Sequence, residues 1–304
     1  MPSRNLADRL EAGEVLLMDG ATGSELQRRG VNIAAGATKD SLGVWSATAN
    51  VDAPEVVQGV HEDYLKLGAD IVISNSFWTN RPRLAIIGQE ERWEEYTRKA
   101  GEMAVAARDS VNPEAYVAGG VAPPGSGDLH TEFADQARVL AAAGVDVMLP
   151  EYVGTIEDCV TAVDACATAG LPVLLGVRHG TIDGTMQYGD SFADLASALD
   201  GHKLDAVLLM CTRPDPVSAC LPKLREAFDG PIGCYSNVGY YTRNPQFGAS
   251  PTEAWHTIDT SGCPPERYAE YAREWRGMGA QIIGGCCAAG PEHIEAIRDV
   301  VKGG

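Results

Sequence analysis

The chain has 304 residues, 45% of them apolar, which is enough for one large core or two small ones. Lys plus Arg number 24 against 42 Asp plus Glu, a formal charge of −18. A field of that sign repels phosphate backbones and anionic lipid, so nucleic acid and membrane surfaces are excluded as expected partners. The opening residues, MPSRNLADRLEAGEVLLMDG, hold no apolar core of signal-peptide length. No run of about 18 apolar residues follows, and a cytoplasmic location is expected. Eight cysteines in such a chain read as buried thiols, catalysis or metal rather than a disulfide framework.

In chain order, short runs rich in Val, Ile, Leu and Ala fall at 14–20, 69–75, 115–121, 146–152, 172–178, 205–211, 231–237 and 280–287. Several lack strict alternation, as expected of parallel strands buried on both faces. Amphipathic helical patterns separate them, among them 54–68, 155–170 and 264–279, and most stop at a Gly just before the next strand. Eight strands alternating with helices predict a single (β/α)₈ barrel over residues 1–304, with inserted loops at 31–53 and 238–263. An open doubly wound sheet is the rival. Its GxGxxG signature is missing from DGATGSEL, the Gly-rich turn after the first strand.

Active sites of such barrels are built at the C-terminal strand ends. Those positions here are Asp19, Asn75, Gly120, Glu151 with Tyr152, Arg178 with His179, Cys211, Asn237, and Cys286 with Cys287. Cys211 ends strand six and the Cys pair ends strand eight, two inter-strand steps apart, roughly 10 Å between backbones. Adjacent strand residues point to opposite faces, so the pair can share an ion only where the pleat breaks. Gly284 and Gly285 are expected to supply that freedom. Three thiolates would make an incomplete tetrahedral zinc site whose open fourth position marks catalysis. Cys234, inside strand seven, is the rival third ligand. Cys159 and Cys166, seven apart on one helix, read as packing, and Cys220 and Cys263 receive no role.

The stretches LLMDGATGSELQRRG (16–30), LGVWSA (42–47), LPEYVGTIEDC (149–159), YSNVGYY (235–241) and GGCCAAGPEHI (284–294) resemble the zinc-dependent homocysteine S-methyltransferases. That family includes the methylmethionine- and betaine-dependent enzymes and the homocysteine module of methionine synthase. The resemblance implies a barrel whose Zn²⁺ is held by Cys211, Cys286 and Cys287. It also implies acidic contacts from Asp19 and Glu151 to the amino group of homocysteine, and a Gly-rich first turn, Gly20 to Gly23, that includes Ala21 and Thr22.

Catalysis would then run through the three cysteines and Glu151, with a small sulfonium or quaternary ammonium compound giving its methyl to the thiol to form methionine. Such cations suit an aromatic rim, for which Trp78, Tyr152, Tyr235, Tyr240 and Tyr241 are candidates. The chain departs from the family at Met210, at Tyr240, in GVRHG (176–180) and in a shortened third loop, all on the presumed donor side. A homocysteine relative such as selenohomocysteine stays open as acceptor. The rival functions are a barrel lyase or hydrolase using Asp19, Glu151 and His179, and a non-catalytic thiol- or zinc-binding protein.

Overall fold

A computed structural model describes residues 2–38, 41–239 and 258–303. The eight strands are β1 (Leu16–Leu17), β2 (Ile71–Ile73), β3 (Tyr116–Val121), β4 (Val147–Val153), β5 (Leu174–Arg178), β6 (Ala206–Met210), β7 (Ile232–Ser236) and β8 (Ala280–Gly285). All pairings are parallel, in the order β1-β8-β7-β6-β5-β4-β3-β2. A bridge between Met18 and Ile71 joins the two ends. The fold is a (β/α)₈ barrel, as the strand count predicts.

Strand parity sorts the apolar side chains into two layers. Leu16, Met18, Ile71, Ala118, Leu149, Leu174, Leu208, Tyr235 and Ile282 fill the interior, plugged from below by Leu6 and Leu10 of the helix Leu6–Glu11. Their neighbours Leu17, Val72, Val117, Leu175, Leu209, Cys234 and Ile283 face outward against the helices. Helix ends follow simple chemistry. Asn80, Asp128, Thr155 and Ser191 cap starts with their side chains. Pro opens the helices Pro54–Lys66, Pro214–Ala227, Pro265–Gly277 and Pro291–Lys302.

One expectation needs correction. Residues 31–53 are not all loop: a 3₁₀ turn, Trp45–Thr48, runs into a short helix, Ala49–Asp52. This insert is fastened to the end of β2 by side-chain hydrogen bonds. Ser46 Oγ donates to Asn75 Oδ1 (2.6 Å), Asn75 Nδ2 to Asn50 Oδ1 (2.8 Å), and Asn50 Nδ2 back to the Asn75 carbonyl (2.9 Å). Asn75, at a strand end, is thus committed to holding the insert. Most of the expected loop 238–263, with Tyr240 and Tyr241, lies outside the described residues.

The opposite, N-terminal rim carries a repeated device. An aspartate stands immediately before β2, β4 and β6, and each pairs twice with one residue in, or just before, the preceding strand. Asp70, Asp146 and Asp205 donate their backbone N–H to the carbonyls of Leu17, Val117 and Val173. Their carboxylates accept the N–H of those same residues at 2.9, 2.8 and 2.8 Å. Asp146 also pairs with Arg108 at 2.5 Å, both side chains buried. Asp146→Ala would strand the Val117 amide and leave that guanidinium only the more exposed Asp109, 2.8 Å away. It is expected to cost about 1–3 kcal/mol in a urea titration, the usual penalty of a buried hydrogen-bonding group left without its partner.

Candidate active site

Three sulfur atoms meet at the barrel mouth. Cys211 Sγ lies 3.6 Å from Cys287 Sγ, and Cys286 Sγ lies 4.0 Å from it. All three lie within 4.8 Å of one another. A tetrahedral ion with metal–sulfur bonds of about 2.3 Å needs sulfur atoms ~3.8 Å apart, close to the spacing here, so the donor set suits zinc. Hydrogen bonds from Cys211 and Cys286 hold the Cys287 thiol well below its ordinary range.

The pleat does break here, but not at the expected residues. Gly284 and Gly285 remain in regular strand. What they allow is close approach: a Cβ on Gly284 would lie 2.7 Å from Met18 Cβ, and one on Gly285 would run into Ala289. The left-handed residue is Ala288 (φ 67°), whose N–H donates to Ser24 Oγ (3.0 Å) and whose carbonyl accepts from Arg28 Nη2 (2.8 Å). The first βα unit thereby clamps the Cys-Cys-Ala-Ala turn. Cys234, the rival ligand, is buried in the outer layer, away from the mouth.

Two carboxylates lie deeper. Glu151 of β4 is 3% exposed and accepts from Tyr235 Oη of β7 at 3.0 Å. Burial pushes Glu151 up to about 8, against the Tyr235 hydrogen bond, which favours the charged form. Asp19 is fully buried, and Ile73 N–H donates to its Oδ2 at 2.9 Å. Its Oδ1 has no partner among the described residues. Burial, with a further contribution from the charge on Glu151, raises Asp19 well above the carboxylate range. Buried acids of this kind are costly to ionise unless a cation or further hydrogen bonds compensate them.

Room for these groups comes from glycines on flanking strands. A Cβ on Gly120 of β3 would lie 2.6 Å from Glu151 Oε1, and one on Gly176 of β5 would overlap Tyr235 Oη. Gly176→Ala should therefore displace Tyr235 Oη from Glu151 and cost roughly 1–3 kcal/mol in a urea titration, since a buried hydrogen bond is lost.

The cavity above is lined by Gly20, Ala21, Thr22, Glu151, Tyr235 and the three cysteines, all anticipated, and by an aromatic wall of Trp45, Phe77, Trp78 and Tyr152. Asp19 lies beneath this lining rather than in it. Trp45 and Phe77 were not singled out: an aromatic in an irregular insert, or beside Trp78, has no parity that reveals where it points. The wall is partly covered already. Arg83 Cζ stacks 3.8 Å from the Trp78 ring centre and Arg178 Cζ 4.8 Å from that of Tyr152, so each offers a ligand fewer free faces than expected.

Three successive strands end on non-glycine residues in the left-handed region: Tyr152 (φ 62°), His179 (φ 53°) and Cys211 (φ 48°). Tyr152 occupies a register shift between Glu151 and Val153 on β4, a bulge that re-aims its ring. Each such residue costs on the order of 1–3 kcal/mol, and strain of this kind gathers where geometry serves chemistry. His179 is 7% exposed, and burial, with Arg178 adding, lowers it to about 4.

The homocysteine S-methyltransferase family model matches residues 16–301. This chain belongs to that family. It is a methyltransferase, and the lyase, hydrolase and non-catalytic readings are set aside. Homocysteine S-methyltransferase of Escherichia coli is 30% identical, the match covering 98% of this chain and 97% of that one. The rat S-methylmethionine–homocysteine S-methyltransferase BHMT2 is 26% identical over 97% of this chain and 80% of its own. The crystal structure of E. coli homocysteine methyltransferase MmuM in its metallated form superposes with a TM-score of 0.77 at 24% identity, covering 96% of this enzyme and 98% of that chain.

Proposed function

We propose that the enzyme transfers a methyl group from a small sulfonium or quaternary ammonium donor to the thiol of homocysteine, using zinc held by Cys211, Cys286 and Cys287. The observation that carries this reading is the meeting of three thiols in one cavity lined by Glu151, with Asp19, one of its oxygens unpartnered among the described residues, just beneath it. The metallated E. coli structure and the methylmethionine named in the rat enzyme support the metal and the donor class.

Zinc, when bound, supplies the Lewis acidity that lets a thiol lose its proton near neutral pH. The chain's own groups do the rest. Asp19 and Glu151 offer carboxylate oxygens to the α-ammonium of the acceptor. That cation repays their desolvation and fixes the direction in which the thiol chain extends toward the cysteines. Tyr235 holds Glu151 in place. Trp45, Phe77 and Tyr152 exclude water from the donor side and favour a cation over ring faces. In the transfer itself, a sulfur lone pair forms the new S–CH₃ bond as the donor's onium–CH₃ bond breaks. The bonding pair returns to the leaving sulfur or nitrogen, which becomes neutral.

Homocysteine offered with S-methylmethionine, S-adenosylmethionine or betaine in turn, with methionine detected by mass spectrometry, tests this directly. Turnover with at least one donor and one zinc per chain are expected. No methionine from any of the three, or no stoichiometric zinc, would overturn the proposal.

A further inference from the structure

His179 makes two contacts that join the halves of the site. Its Nδ1 lies 3.2 Å from the Cys211 carbonyl oxygen and its Nε2 lies 3.2 Å from Tyr152 Oη. A carbonyl can only accept, so Nδ1 carries the hydrogen. In the neutral ring Nε2 is then an acceptor, and the Tyr152 hydroxyl must donate to it. The imidazole packs edge-on against the Tyr152 ring, centres 5.3 Å apart and planes at 78°. Tyr152 in turn meets Phe77 edge-on at 5.5 Å. The bridge therefore links the ends of β4, β5 and β6 through three residues that are each in the left-handed conformation.

We propose that His179 is a positioning residue that locks the Cys211 main chain and commits the Tyr152 hydroxyl hydrogen, so that Tyr152 presents the methyl donor with lone pairs and a ring rather than with a hydrogen-bond donor. This rests on the metal and donor reading above. Its chemical consequence is selectivity. The C–H bonds of a methyl next to a positive sulfur or nitrogen are polarised toward an oxygen lone pair, and the onium charge is drawn to the ring. A carboxylate placed against Tyr152 Oη would find no O–H donor there. Tyr152 therefore reads the onium end of the donor, and the donor's anionic end must be recognised by groups other than this hydroxyl.

The two contacts can be separated. The amide nitrogen of Asn overlays Nδ1 of His, and the amide of Gln overlays Nε2. His179→Asn keeps a donor for the Cys211 carbonyl and loses the Tyr152 acceptor, while His179→Gln does the reverse. His179→Ala loses both. The measurements are zinc affinity by chelator competition, the thiolate-to-metal charge-transfer band of the Co²⁺-substituted protein, and kcat/KM for S-methylmethionine.

His179→Ala is expected to lower zinc affinity about 10- to 100-fold, the usual effect of losing a group that orients a metal ligand. His179→Asn should recover zinc affinity and the Co²⁺ band while kcat/KM for the donor stays depressed. His179→Gln should show the opposite pattern. Tyr152→Phe should depress donor kcat/KM to the level of His179→Asn, and the double variant should fall no further. Parent-like values within twofold for His179→Ala, or equal loss of both functions in the Asn and Gln variants, would overturn the proposal and leave His179 as packing. A parent with no stoichiometric zinc would instead overturn the metal reading, before any substitution at His179.

Discussion

Cys211→Ala is expected to yield a folded barrel that binds zinc roughly 10²- to 10³-fold more weakly and loses nearly all methyl-transfer activity. The range follows from structural zinc sites of four ligands, whose apparent binding free energy is about 10–16 kcal/mol, if one ligand supplies about a quarter of it. The fold should survive because Cys211 stands one residue beyond β6, at the rim, above the interior layer that closes the barrel. No other thiol can take its place. Cys234 is one strand over, but its side chain faces the helices, while the next residue, Tyr235, faces inward to Glu151. Elemental analysis and far-UV circular dichroism check the two halves of the expectation. Full zinc content in this variant would show that the three-thiol cluster is not the metal site.

Glu151→Ala should weaken homocysteine about 10- to 150-fold, corresponding to the roughly 1.5–3 kcal/mol of a hydrogen bond to a charged group. The variant removes the acceptor of Tyr235 Oη as well as the negative charge, so Glu151→Gln is the sharper comparison. Gln keeps an acceptor for Tyr235 and lacks the charge. A loss of similar size in both variants assigns the effect to attraction for the ammonium group. The preference for homocysteine over 3-mercaptopropionate, which has no amino group, should narrow in both, with zinc content unchanged. Homocysteine kinetics within twofold of the parent would make Glu151 a structural residue and leave Asp19 as the sole carboxylate for the ammonium.

The strands were readable because buried parallel strands leave continuous apolar runs between Gly-terminated helices, and Gly68, Gly144, Gly170 and Gly279 do adopt the left-handed conformation that ends each helix. The cysteine cluster was readable for a related reason: polar residues that end apolar runs stand out. Parity near a strand end was less readable. Whether Cys211 or Cys234 faced the mouth depended on where β6 and β7 stop, and the geometry decided it. The turn of the Cys pair was placed on Gly284 and Gly285 because glycine is the usual left-handed residue. The chain uses Ala288, held there by Ser24 and Arg28 from the other end of the sequence. The bridge from Tyr152 through His179 to Cys211 spans residues 27 and 32 apart. No local pattern announces such contacts, because each partner looks like an ordinary strand-end residue until the barrel closes.

The aspartates on the far rim bear on how this barrel opens and closes. Their two-way pairings join β1 to β2, β3 to β4 and β5 to β6, spanning 53, 29 and 32 residues. Each latch sits within one βαβ unit, so a unit can form its own end contact before the ring is complete, at the modest entropic cost of a loop of that length. β7 and β8 have no latch of this kind among the described residues. β8 carries Gln281 instead, whose side-chain amide donates to the Leu10 carbonyl in the N-terminal helix at 2.7 Å. The barrel is thus stitched in three consecutive pairs and a seam, with β8, which delivers two of the three thiols, on the seam. In native-state hydrogen exchange the amides of Leu17, Val117 and Val173 should outlast those of β7 and β8. The cysteine pair would then be released by a partial opening that leaves three quarters of the ring in place.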